Sequence, residues 1–195
     1  MDEKIILASA SPRRRELLER ADILFDVIVS NSDEKYTAVK PEKIVEEISC
    51  GKAEDVAKSC DRDDVIILAA DTVVCFEDVI YGKPSDTDDA FNMLKKLQGN
   101  THKVVTGVTF AIKKDEKIDY RTFHEATEVS VYEMTDDEIR EYIATGEPMD
   151  KAGSYAIQGK YAKYIKSIKG DYSNVVGLPI SRVYHELKAI RTELD

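Results

Sequence analysis

The sequence has no hydrophobic run near the ~20 apolar residues that a membrane-spanning helix needs, so no membrane span is expected. It is short of cysteine. Cys50, Cys60 and Cys75 are odd in number and none stands in a C-x-x-C spacing, which argues against a disulfide framework and a cysteine zinc site and leaves the thiols reduced. Net positive charge is missing as well: 28 Lys and Arg stand against 38 Asp and Glu, for −10 at pH 7. Broad nucleic-acid binding needs a basic face and is not expected. One small anionic ligand is still allowed, because a few cations in a cleft focus positive potential within an acidic protein. Internal repeats, low-complexity tracts and linkers are absent too. At 195 residues, 43% hydrophobic and 34% charged, the expectation is one soluble globular domain, residues 1–195, large enough to bury a core. The start, Met1-Asp2-Glu3-Lys4, is acidic and lacks a signal-peptide pattern, so a cytoplasmic protein is expected.

What is present begins with Ile5-Ile6-Leu7-Ala8, a short buried strand, followed by Ser9-Ala10-Ser11-Pro12-Arg13-Arg14-Arg15. Ser11 suits an N-cap, its hydroxyl accepting from a first-turn amide, and Pro12 suits the first helical position. Three arginines in a first turn oppose the helix's own positive end. Together with the Ser9 and Ser11 hydroxyls they suit a phosphate group; a solvated basic turn is the alternative. Phe25 to Val29 reads as a strand and Ser30 to Lys35 as a polar loop, whose Asp33 and Glu34 are metal or base carboxylates or simply solvated. Pro41 opens a helix with an apolar stripe at Ile44, Val45, Ile48, Ala53, Val56 and Ala57, weakened by Gly51. Lys52 beside it either reaches an anion or is solvated, and local physics favours solvation.

Val65 to Phe76 is the strongest strand pattern, with Asp71 inside it. A carboxylate in so apolar a run is expensive unless it is paired, hydrogen-bonded or bound to metal, and Ala69-Ala70 leave room for an approaching group. Asp71 is therefore a candidate functional carboxylate, with a structural role as the alternative. Tyr81-Gly82-Lys83-Pro84 is a turn that projects Lys83, and it lacks the spacing of a phosphate-binding Walker loop. Ser85 or Thr87 should cap a helix carrying Ala90, Phe91, Leu94 and Leu97 and ending at Gly99. Strands follow over Lys103 to Ile112 and Tyr120 to Met134. Thr135-Asp136-Asp137-Glu138 is a capping box for a helix with Ile139, Tyr142 and Ile143, stopping at Gly146. Glu147 to Gly159 is rich in small residues and should pack tightly or wrap a ligand, and Gln158 has an amide that suits a nucleobase edge or a backbone group. A strand over Tyr161 to Ile168, a turn over Gly170 to Asn174 and a last helix with Ile180, Val183, Tyr184, Leu187 and Ile190 on its core face complete the chain.

Several of these blocks, in this order, resemble the Maf family of nucleoside triphosphate pyrophosphatases, also called septum-formation inhibitors. They are Leu7-Ala8-Ser9-Ala10-Ser11-Pro12-Arg13-Arg14, Ala70-Asp71-Thr72-Val73-Val74, Gly82-Lys83-Pro84, Glu147-Pro148-Met149-Asp150-Lys151-Ala152-Gly153 with Gln158-Gly159, and Gly170-Asp171-Tyr172-Ser173-Asn174-Val175-Val176-Gly177-Leu178-Pro179. The resemblance implies an α/β fold, an elongated mixed β-sheet flanked by helices with a central cleft, like that of inosine-triphosphate pyrophosphatases. It implies hydrolysis of a nucleoside triphosphate to the monophosphate and pyrophosphate with a divalent cation, Mg²⁺ or Mn²⁺, and a homodimer. Asp71 matches the family's catalytic base. Arg13, Thr72 and Gln158 match the positions that separate substrate subgroups, and here fit dTTP and UTP better than 7-methyl-GTP. Ser9, Arg14, Glu34, Lys52 and Lys83 match other active-site positions of the family; Ser9, Arg14, Lys52 and Lys83 are expected to bind the substrate, and Glu34 and Asp71 are the candidate metal carboxylates. Modified pyrimidine triphosphates are further candidate substrates. A non-catalytic nucleotide-binding regulator of septum formation is the competing class.

Overall fold

The computed structural model describes residues 4–115 and 117–194; the acidic start read above, Met1 to Glu3, lies outside the described residues. The strands are β1 (Ile5–Leu7), β2 (Phe25–Val27), β3 (Val65–Phe76), β4 (Val79–Tyr81), β5 (Thr101–Lys114), β6 (Lys117–Val131) and β7 (Ile165–Lys169). The helices are α1 (Pro12–Arg20), α2 (Pro41–Ser59), α3 (Thr87–Leu97), α4 (Asp136–Ile143), α5 (Tyr172–Val176) and α6 (Ile180–Leu194). The strands form one mixed sheet in the order β2-β1-β3-β5-β6-β7, with β4 also paired to β3. The expected α/β class with a mixed sheet and flanking helices is what the chain adopts. No described helix is long and apolar enough to cross a membrane.

The chain divides into two compact units. The first holds, of the described residues, 4–71, 106–115, 117–125 and 177–194. Here β1 runs parallel to both β2 and β3. Along β3, successive side chains alternate between faces, so Val65, Ile67 and Ala69 share one face. These three join a buried cluster with Ala53, Val56 and Ala57 of α2 and Ile6 and Ala8 at β1. All six apolar positions predicted for the α2 stripe are buried. The α2 backbone lies hard against β5: a Cβ on Gly107 would stand 2.2 Å from the Val45 carbonyl oxygen. Two expectations are corrected here. The second strand ends at Val27, two residues early. Tyr184 is 47% exposed, because it lies about 100° round α6 from Val183 while Val183, Leu187 and Ile190 form the buried stripe.

The second unit holds residues 72–105 and 126–176. The strand β4 was not expected. It returns antiparallel from β3 through Glu77 and Asp78, whose φ values of 51° and 62° are those of a type I′ hairpin turn. The cap of α3 is Asp86, not Ser85 or Thr87: its carboxylate accepts from Asp89 N at 2.8 Å, and a carboxylate also meets the helix's positive end. The Thr135–Glu138 capping box of α4 forms as expected. Residues 147–164 make three short 3₁₀ turns, so the strand expected from Tyr161 begins only at Ile165. Tyr161 and Tyr164 are both buried, with the Tyr161 ring packed at a tilt against those of Tyr142, Tyr155 and Tyr164 at centroid distances of 4.9–5.4 Å. Residues three apart share a side of a 3₁₀ turn, whereas a strand would send them to opposite faces. Likewise the turn expected over 170–174 runs into α5, whose Ser173, Asn174 and Val176 are buried.

His102 of β5 is 2% exposed, with Nε2 2.7 Å from the Tyr155 hydroxyl. Burial pushes its pKa down from 6.5 to about 4. Between those values the unfolded chain takes up a proton that the folded chain refuses. The stability from keeping His102 neutral is therefore complete above about pH 6.5 and lost as pH falls through about 4, a span of roughly 3 kcal/mol. Unfolding free energies measured from pH 7 to pH 4 should fall less in His102→Gln than in the wild type by about that amount; parallel curves would show that His102 titrates normally in the folded chain.

Candidate active site

From β1 the chain turns through Ser9 and Ser11 into α1, with Ser11 at the N-cap and Pro12 inside the first turn. The Ser11 hydroxyl makes no cap bond, contrary to expectation. The hydroxyl that organises the turn is that of Ser9, 7% exposed, which accepts from Ser11 N at 3.2 Å and from Arg14 Nη1 at 3.0 Å. Two lone pairs allow both bonds. Arg14 Nε donates to the Gly177 carbonyl at 2.8 Å, so its guanidinium is held on two sides. Burial lowers the pKa of Arg14, the negative charges of Asp71 and Glu34 raise it, and neighbouring Arg13 lowers it. No acidic residue lies in the first turn of α1. The end of this helix is thus positive by dipole and by side chain, as an anion site requires.

The carboxylates reach the same unit by strand periodicity. Asp71 follows Val65, Ile67 and Ala69 on the face of β3 that α2 covers. On α2, Lys52 directly precedes Ala53 of that contact, and its ammonium closes the pair with Asp71 Oδ1 at 2.7 Å. It also meets Glu34 Oε1 at 2.8 Å. The solvated reading of Lys52 is therefore overturned: its side chain is 16% exposed and Asp71's is 13%. The two loop carboxylates part company. Glu34 joins Lys52, while Asp33 pairs with Lys35 where both side chains are well exposed. The Lys52–Asp71 pair is largely shielded from solvent, so removing Lys52 would leave the Asp71 carboxylate without its ion pair, whereas Lys52 without Asp71 keeps Glu34.

Along β3, Asp71 stands between two pairings: β1 is matched to Ile67 and Leu68, and β4 to Val74, Cys75 and Phe76. One unit thus collects Ser9, Arg13, Arg14, Glu34, Lys52 and Asp71. Thr72, Lys83 and Gln158 belong to the other unit. Thr72 follows Asp71 on β3 and is half-buried, and Lys83 and Gln158 are exposed.

Among the described residues no group of three or more His, Cys, Asp or Glu gathers as a metal cage. Asp71 and Glu34 instead offer two carboxylate oxygens around one position that a cation, the Lys52 ammonium, fills. That donor set fits Mg²⁺ or Mn²⁺, hard cations that take one or two carboxylates and complete their shells with phosphate oxygens and water.

A family model described as Maf-like protein matches residues 4–190. The chain belongs to the Maf family. A Maf relative from Agathobacter rectalis, named dTTP/UTP pyrophosphatase, is 47% identical over 98% of this chain and 99% of its own. One of the same name from Bacillus cereus is 50% identical over 95% and 94%. Among solved structures, the Staphylococcus aureus Ham1 protein aligns at 14% identity over 83% of this chain and 93% of that one, with a TM-score of 0.46, too low to carry weight.

Within this Maf chain the residue that local sequence reasoning missed is Gly177. It stands in one of the runs that carry the resemblance, with no role of its own, yet its carbonyl holds Arg14. Its φ of 126° belongs to glycine, and that conformation goes with the carbonyl's position against the guanidinium. A Gly-Leu-Pro run before a helix was the available signal; its partner, 163 residues away, was not.

Proposed function

We propose that this protein hydrolyses dTTP and UTP to the nucleoside monophosphate and pyrophosphate, with water attacking the α-phosphorus. The observation that carries the reading is the Lys52 ammonium shared by Asp71 and Glu34 in the unit that also holds Arg14. Cations and base-capable carboxylates are thereby gathered on one framework, as displacement at phosphorus requires, since positioning and charge stabilisation dominate such reactions. The activity in the names of the Maf relatives, dTTP/UTP pyrophosphatase, agrees, and we carry it to this chain.

In this reading Arg13, Arg14 and Lys52 bind the triphosphate, and Lys83 adds a further cation. Lys52 exchanges its carboxylate partners for phosphate oxygens as substrate enters. Asp71 and Glu34 are the carboxylates that would hold Mg²⁺ or Mn²⁺, and the ion would offset phosphate charge and make water a better nucleophile. Asp71 orients that water and accepts its proton. Gln158, with Thr72, reads the O4 and N3 edge of uracil or thymine. We place the enzyme in the cytoplasm as a homodimer, an assembly that sedimentation measures.

The test is incubation with Mg²⁺ or Mn²⁺ and a panel of nucleoside triphosphates, with products separated by chromatography. UMP or dTMP together with pyrophosphate is the expected result. Preferred cleavage of 7-methyl-GTP would keep the reaction and overturn the base preference. Tight binding without product would replace the enzyme with a nucleotide-binding regulator.

A further inference from the structure

Gln158 sits in a tight turn of the second unit. Gly159 N donates to the Ala156 carbonyl at 3.2 Å, closing a four-residue turn in which Ile157 is buried and Gln158 is exposed. The backbone of this turn is held from one side by two residues that precede it in the chain, Tyr142 and Glu147. Glu147 Oε2 accepts from Lys160 N at 3.0 Å, and Glu147 Oε1 accepts from the Tyr142 hydroxyl at 2.8 Å. That hydroxyl in turn accepts from Ala156 N at 3.3 Å. Between those two anchor points, Gly159 lies so close that a Cβ on it would stand 2.3 Å from each carboxylate oxygen. Ala156 and Lys160, on either side of Gln158, are thus tied to one carboxylate and the hydroxyl that braces it, and Gly159 lies against that carboxylate.

The brace is itself rigid. Tyr142 is 4% exposed on α4 and its ring packs 5.0 Å from that of Tyr161. Burial, then the Glu147 carboxylate, push its hydroxyl pKa up, which keeps the proton on the tyrosine as donor to Glu147.

We propose that Glu147, braced by Tyr142, is a positioning residue for base recognition: it holds the turn that presents the Gln158 amide. The inference rests on Gln158 reading the base. A hydrogen-bond reader discriminates only if it is held to within about half an ångström of its working place. An amide carried on a loose turn would still meet the substrate but would follow a wrong base as readily as the right one, so selectivity falls before chemistry does.

The test compares wild type, Glu147→Gln, Gln158→Ala and the double variant by kcat and KM for UTP and for GTP, with melting temperature alongside. Glutamine keeps the shape, but it accepts through one oxygen only and turns an NH₂ toward the second donor. Glu147→Gln should lower the UTP-over-GTP ratio of kcat/KM by about tenfold, chiefly through KM for UTP, while kcat for UTP stays within about threefold. Gln158→Ala should lower the ratio at least as far, and the double variant should fall no further than Gln158→Ala alone. A ratio that drops in Gln158→Ala but not in Glu147→Gln overturns the clamp and leaves the base reader standing. Additive losses in the double variant overturn it too, since Glu147 would then act elsewhere. An unchanged ratio in Gln158→Ala removes the base reader and the clamp together. Should Glu147→Gln fail to fold, Tyr142→Phe removes both the proton given to Glu147 and the acceptor for Ala156 N, and must shift the same ratio in the same direction.

Discussion

Asp71→Asn should lower kcat for UTP hydrolysis by roughly a hundred- to ten-thousandfold, the usual span for a lost general base, without weakening nucleotide binding. Asparagine has the same shape and keeps an oxygen for the Lys52 ammonium, now 2.7 Å from Asp71 Oδ1. What goes is one negative charge beside Lys52 and within the field of Arg14. A triphosphate brings several negative charges of its own, so its affinity measured without divalent cation should hold or rise. Two roles for Asp71 then separate. If its main work is to hold Mg²⁺ or Mn²⁺, raising the cation concentration recovers much of the lost rate. If it takes the proton from water, no cation concentration does. Near-normal turnover at ordinary cation levels would take Asp71 out of the chemistry altogether.

Asp71 was legible in the sequence because it breaks a rule: a carboxylate in the middle of Val65 to Phe76 has a cost that needs a partner. The partner was not legible. Lys52 is a long flexible side chain next to a glycine in a helix, and nothing in its surroundings along the chain separates an ion pair from solvation. The separation comes from α2 lying across β3, which places Lys52 against a residue 19 positions away. The same holds for Arg14 and Gly177. Local pattern marks a costly residue, and tertiary packing decides what meets the cost.

The elements followed the same division. The α2 stripe and the Thr135–Glu138 box were readable because period and capping chemistry are local. β4 was missed because its hairpin turns on Glu77 and Asp78 rather than on the Asn-Gly or Asp-Gly pairs that favour positive φ. The start of β7 was missed because Tyr161 and Tyr164 have strong strand propensity, and the tyrosine cluster they join pulls them into a 3₁₀ turn.

The largest expected loss of stability comes from one methyl group. Gly107→Ala should cost at least ~3 kcal/mol, the upper end of what overpacking a core costs, since the added carbon would stand 2.2 Å from a backbone oxygen rather than from a side chain that can swing away. For a chain of this length that is a fall in melting temperature of about 10 °C. The oxygen belongs to Val45 in α2, and relief requires the helix to lift or slide. Because α2 carries Lys52, turnover should fall in the fraction that remains folded. Gly51→Ala, on α2 itself, is the matched control. A Cβ there meets nothing within 4 Å, and alanine favours the helix by about 1 kcal/mol, so this variant should melt higher. Equal and small effects at the two glycines would mean that α2 is not seated on β5 as described. Opposite signs would locate the rigidity of the Lys52–Asp71 pair in that close contact, and would explain why a strand position that bears no catalytic group is occupied by a residue with no side chain.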